Sequence, residues 1–158
     1  MKVNLFEWSI LALIILVTWL PSMIIGFSTS KSIDTWYKEL KKPVWNPPNW
    51  IFGPVWSVLY ICMSVAVWLV WKHDPSYRIA FQLYLFQLLL NFTWSPIFFL
   101  LKKPGLAFLN ILLLWAMIAI TSLVFFFKVT LAAQLMMPYL AWVTFASLLN
   151  YRIWQDNR

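Results

Sequence analysis

Charge is scarce in this chain. Only 11% of its 158 residues are Asp, Glu, Lys or Arg, and there are one histidine, one cysteine and three glycines. Each shortage narrows the field. A lone cysteine, Cys62, cannot form an intrachain disulfide, and inside an apolar run it reads as a small core residue. The lone histidine, His73, lies beside Asp74 with no Cys, His or carboxylate cluster around it, so neither a metal site nor haem-iron ligation is expected. No Asp, Glu, Lys, Arg or His stands well inside the last four of the five apolar runs delimited below. That argues against a proton-relay pump or a charge-lined pore and leaves little for general acid–base catalysis. No cofactor is expected.

Apolar and aromatic surface is what the chain has in excess, at 63% and 20% of residues. A soluble domain of this length could not hide so much of it, so the natural solvent is a bilayer. A formal charge of +7 is compatible with nucleic-acid binding, but Lys and Arg are spread over connections and no base- or phosphate-reading motif is present. No nucleic-acid partner is expected.

Five runs are long enough to cross a membrane, at about 20 residues each. They cover residues 5–25, 50–71, 79–101, 106–127 and 131–154, in one domain spanning 1–158. Lys2 ahead of the first run would suit a signal peptide, but the run is too long for one and Glu7 interrupts it. We read it as a retained helix. Most connections are short, which forces antiparallel neighbours and an all-α, up-and-down bundle of five transmembrane helices. Asp74-Pro75 reads as an N-cap followed by proline at the first helical position, and Lys102-Lys103-Pro104-Gly105 as a tight turn.

Only the first connection, 26–49, is long, and it is structured. WYKELKKPVWNPPNWIFGPVW, from Trp36 to Trp56, holds four tryptophans and four prolines in 21 residues. Flexible linkers are built from glycine, serine and charge. Prolines at 43, 47, 48 and 54 forbid a regular helix through the segment. Trp45 and Trp50 are costly to leave in water. The segment is expected to fold as a lid over something apolar, with Asp34 capping a short helix that ends before Pro43.

Cationic residues set the orientation. Lys2, Lys72, Arg78 and Lys128 fall on one side, four in all, against eight on the other: Lys31, Lys38, Lys41, Lys42, Lys102, Lys103, Arg152 and Arg158. The positive-inside rule then places the first loop and the C-terminus in the cytoplasm. We expect a multi-pass protein of a bacterial cell membrane.

Neutral polarity recurs inside the runs at helical spacing. Trp56, Tyr60 and Ser64 share one face of the second run. Gln87, Asn91 and Ser95 share one face of the third, with Trp94 beside them. Tyr139, Trp142 and Ala146 share one face of the fifth, near a kink expected at Pro138. Polar faces turn from lipid toward protein, and amide stripes alone serve as interhelical glue. Rings with one polar tip on the same faces suit a pocket for a large apolar ligand.

Three long motifs carry a resemblance over nearly the whole chain: WYKELKKPVWNPPNWIFGPVWSVLY at 36–60, QLLLNFTWSPIFF at 87–99 and PYLAWVTFASLLNYRIWQDN at 138–157. The chain resembles the translocator protein family, also called tryptophan-rich sensory proteins or peripheral benzodiazepine receptors. The resemblance implies a five-helix bundle, often a homodimer, with a pocket covered by the first loop. It implies tetrapyrroles such as protoporphyrin IX, sterols or benzodiazepine-type compounds as ligands. Carried over by motif, the pocket includes Tyr37, Trp45, Trp56, Asn91, Trp94 and Trp142. Together with the stripes, the expected ligand-binding set also takes in Tyr60, Gln87, Tyr139 and Ala146. The leading expectation is a membrane receptor or sensor. The first alternative is an enzyme that degrades porphyrin with light and oxygen, with Trp56 and Trp142 as its reactive pair. The second alternative is a porphyrin or lipid transporter, against which stand the missing inverted repeat and the odd number of spans. The family's sterol motif, Leu/Val then Tyr then Lys/Arg with one to five residues between, is broken: Arg152 follows Tyr151 directly, Gln155 stands where a basic residue is expected, and Arg158 falls one residue too late. A porphyrin fits better than cholesterol.

Overall fold

The computed structural model describes residues 4–158. Lys2, used above for orientation, lies outside them. Five long helices account for the five apolar runs, joined by one short helix. They are α1 (Leu5–Asp34), α2 (Trp36–Glu39), α3 (Asn49–His73), α4 (Arg78–Ser95), α5 (Pro104–Phe126) and α6 (Thr130–Asp156). Each of the five is long and apolar enough to cross a membrane.

Asn4 starts α1 through a capping box. Its side chain accepts from the Glu7 N–H at 2.9 Å, and its own N–H donates to Glu7 Oε2 at 3.1 Å. The helix runs nine residues past the end of the apolar run at 25, through GFSTSKSID, where the sequence suggested the start of the loop. No proline stops it there. Its hydroxyls fold back onto carbonyls one turn earlier, Ser28 to Ile24 at 2.8 Å and Thr29 to Ile25 at 3.0 Å. Asp34 therefore ends α1 rather than capping the next helix. The short helix α2 follows at once and stops before Pro43, as expected.

Two further ends depart from the sequence reading or extend it. Asp74 does not cap α4, which begins at Arg78. Its carboxylate instead closes an Asx turn, accepting from the Ser76 N–H at 3.2 Å and the Ser76 hydroxyl at 2.7 Å. At the other end of α4, Pro96 has no N–H to give, and the chain widens into a π-helical turn over Pro96–Leu100. The Leu101 N–H reaches five residues back to the Pro96 carbonyl at 3.0 Å. Lys102 then turns the corner with φ of 55°, the left-handed conformation that usually selects glycine.

The helices form a closed ring. α1 packs on α3 and α4, α3 on α6, α6 on α5, and α5 back on α4. Met63, Ala66, Ile118, Met136 and Val143 form its buried centre. In a bilayer such contacts stabilise by packing rather than by escape from water. α1 stands apart from that centre: only Thr18 and Thr29 are buried along its 30 residues. Thr18 is hydrogen-bonded to Tyr84 at 2.8 Å.

Candidate functional site

A cavity of about 440 Å³ lies between α1, α3, the end of α4 and α6. Its walls are mostly rings and aliphatic side chains. α3 contributes Phe52, Trp56 and Tyr60, and α6 contributes Ala146, Leu149 and Asn150. The π-helical turn swings Phe98 and Phe99 toward it, and Trp94 stacks on Phe98 at 5.5 Å. Tyr37 of α2 closes the loop end.

The polar floor is a chain of neutral groups. Tyr60 donates to Asn91 Oδ1 at 2.8 Å, Asn91 Nδ2 donates to the Tyr139 hydroxyl at 2.9 Å, and Tyr139 donates to Gln87 Oε1 at 3.0 Å. Three helices are tied by it. Trp94 Nε1 donates to Asn150 Oδ1 at 3.0 Å, and Asn150 Nδ2 reaches the Pro104 carbonyl at 2.8 Å. Asn91 and Asn150 each use both ends of the amide and are thereby fixed in orientation, which suits them to orienting a ligand.

Six of the expected site residues line this cavity: Tyr37, Trp56, Tyr60, Asn91, Trp94 and Ala146. Four do not. Tyr139 and Gln87 are the fully buried far end of the floor's chain, where they hold Asn91 in place. Trp142 lines a neighbouring chamber of about 20 Å³ together with Trp56, Asn91 and Trp94. That chamber has room for about one water-sized molecule. The Trp142 Nε1–H is buried there without a partner. Trp45 does not line the cavity and is half exposed, its ring edge-on to Phe145 at 5.6 Å.

α1 is the wall that the sequence reading missed. Trp19, Ser22, Gly26, Thr29 and Ile33 all face the cavity. The available signal was Ser22, Gly26 and Thr29 at steps of four and three, small residues that share one face of α1.

The loop is fastened over the cavity. The Tyr37 hydroxyl donates to Asn46 Oδ1 at 2.9 Å, and burial pushes its phenol up to about 12, so it stays a donor at any physiological pH. Lys42 Nζ caps α2, donating to the carbonyls of Tyr37, Lys38 and Leu40 at 2.7, 3.1 and 3.0 Å. Burial holds the Lys42 ammonium below its usual range. Among the described residues no group of three or more His, Cys, Asp or Glu could hold a metal ion.

Residues 10–155 match the model of the TspO/MBR family. The chain is 38% identical to the translocator protein of Homo sapiens over 156 residues, covering 88% of this chain and 91% of that one. It is 40% identical to the tryptophan-rich protein TspO of Chlorobaculum tepidum, over 84% of this chain and 89% of that one. To the tryptophan-rich sensory protein of Cereibacter sphaeroides it is 39% identical, over 78% of each.

Proposed function

The chain belongs to the TspO/MBR family, and from that membership we propose that it is a membrane receptor or sensor binding a tetrapyrrole such as protoporphyrin IX inside the bundle. One observation carries the reading. The cavity of about 440 Å³ joins apolar ring walls to a fixed, neutral polar floor at Asn91 and Tyr60. Its size falls in the range of about 300–1,000 Å³ for small-molecule sites. Flat apolar ligands stack on such rings, and a few set polar groups orient them. The sensory name carried by one relative agrees with this reading. Benzodiazepine-type compounds fit the same chemistry. For sterols the broken C-terminal motif counts against the fit, and Tyr151 does not line the cavity but lies tilted against Phe108 at 5.2 Å.

Titrating purified protein with protoporphyrin IX in darkness, by tryptophan quenching and by absorbance, tests the reading. Saturable binding with a shifted porphyrin spectrum is expected. Non-saturating quenching equal to that of empty detergent micelles would refute it.

A second reading, light- and oxygen-dependent porphyrin breakdown, is favoured by one feature: Trp56 and Trp142 share the walls of the small chamber. In that case bleaching under light should slow in Trp56→Phe and Trp142→Phe while dark binding persists. Homodimerisation, a bacterial cell membrane and a cytoplasmic first loop complete the proposal. For orientation, cysteines at Ser32 and Asn157 in a Cys62→Ala background should label from one side and a cysteine at His73 from the other.

A further inference from the structure

Two helices leave the cavity uncovered. Of the residues that line it, Met23, Gly26, Asn49 and Gly53 are the exposed ones, and all four belong to α1 and α3. A Cβ built on Gly26 or on Gly53 would meet nothing within 4 Å. The two helices are fastened at their other ends. Glu7 pairs with Lys72 at 3.0 Å, Trp68 Nε1 donates to the Glu7 carbonyl at 3.0 Å, and Trp8 stacks on Trp68 at 6.1 Å. Toward the loop, α1 instead packs on α2 and on the π-helical turn after α4. The bonds of Tyr37 and Lys42 hold the loop's own shape, and a pair of hydrogen bonds between the Lys41 backbone and the Asn157 side chain ties it to the end of α6.

We propose that the ligand reaches the cavity sideways from the bilayer, through a window between α1 and α3 framed by Gly26 and Gly53. This deepens the binding reading above and rests on it for the ligand's identity. The depth fits. Gly26 stands about 30 Å along α1 from Leu5, at about 1.5 Å per residue, which is the thickness of the hydrocarbon core. Trp50, one turn before Gly53, is 74% exposed and belongs at headgroup level. The window therefore opens where hydrocarbon meets headgroups. Beyond it, exposed Lys31, Lys38 and Lys41 outnumber Asp34 and Glu39. The class of ligand that suits this doorway is a membrane-dissolved amphiphile with a flat apolar body and an acidic end. The body slides between the helices while the acidic end stays among the lysines.

The test needs no porphyrin. Ser95 lines the cavity from α4, across from the window. A Ser95→Cys variant in a Cys62→Ala background, placed in phosphatidylcholine vesicles, is labelled with pyrene maleimide, which dissolves in the bilayer, or with a sulfonated maleimide, which does not. Pyrene maleimide should react at least about tenfold faster, and Gly26→Phe or Gly53→Phe should each slow it by about tenfold, a barrier change of about 1.4 kcal/mol. Asn157→Ala, which loosens the loop, should leave the rate unchanged. Equal labelling by the sulfonated reagent, no labelling by either, wild-type rates in both phenylalanine variants, or a faster rate in Asn157→Ala would each overturn the window. The porphyrin titration fails or succeeds separately from all of these.

Discussion

Asn157 and Lys41 exchange two hydrogen bonds across 116 residues of sequence. The Lys41 N–H donates to Asn157 Oδ1 at 2.9 Å, and Asn157 Nδ2 returns one to the Lys41 carbonyl at 2.9 Å. The last residue but one of the chain thus holds the first loop as a neighbouring strand would. Each such bond contributes about 0.5–1.5 kcal/mol net. Asn157→Ala is expected to raise amide exchange over residues 38–48 by about tenfold or more, with little change in α3 to α5. Hydrogen-exchange mass spectrometry checks it, and unchanged protection of the loop would show that the latch is redundant.

Binding should weaken unevenly across the expected site. Trp56 and Asn91 line the cavity, whereas Trp142 lines only the small chamber beside it. Trp56→Ala and Asn91→Ala are each expected to weaken porphyrin binding by about tenfold, near 1.4 kcal/mol. Trp142→Ala should weaken it by less than about threefold in the dark. Fluorescence-quenching titrations rank the three, and a Trp142 effect as large as that of Trp56 would mean that the ligand occupies the chamber as well.

Gly105 admits no side chain. A Cβ there would lie 2.8 Å from Trp154 Nε1 and Cε2, and that indole is already held by Phe108 on one side and by the Arg158 guanidinium at 4.2 Å. Gly105→Ala should destabilise the α5–α6 pair by about 1–3 kcal/mol. A thermal shift assay in detergent should show the loss, and adding Trp154→Phe should recover part of it. A stable Gly105→Ala protein would imply that Trp154 moves freely.

The link between the two short loops should depend on acid. Hydrogen bonds from Ser76 and then from Lys128, 3.2 Å away, hold the Asp74 carboxyl below its ordinary value of 3.8. A lowered folded-state pKa gives stability that is present above the ordinary value and lost as pH falls below it. Asp74→Asn should therefore lower the melting temperature at pH 7 and have a smaller effect near pH 3. Equal effects at both values would deny the charge a role.

The helices were legible because length and hydropathy suffice to specify a membrane span. The faces of α3, α4 and α6 were legible too, since Tyr60, Gln87, Asn91 and Tyr139 recur at helical spacing against an apolar background. α1 was not. Its cavity face is marked by Ser22, Gly26 and Thr29, whose hydroxyls or lack of side chain blend into any membrane helix. Its extension to Asp34 was hidden for a related reason: serine and threonine look like loop residues until their hydroxyls find carbonyls within the helix. The split between Trp56 and Trp142 depends on which side of the Asn91 floor each ring falls, and helical periodicity cannot resolve that.

The floor built from Tyr60, Asn91, Tyr139 and Gln87 has a consequence for the membrane's electric field. Among the described residues, no Asp, Glu, Lys, Arg or His lines the cavity. An elementary charge moved through the full membrane potential exchanges about 2.3 kcal/mol per 100 mV. A cavity walled by rings and floored by amides and phenols contributes no such charge of its own, so a response of its occupancy to the membrane potential has to come from charge on the ligand.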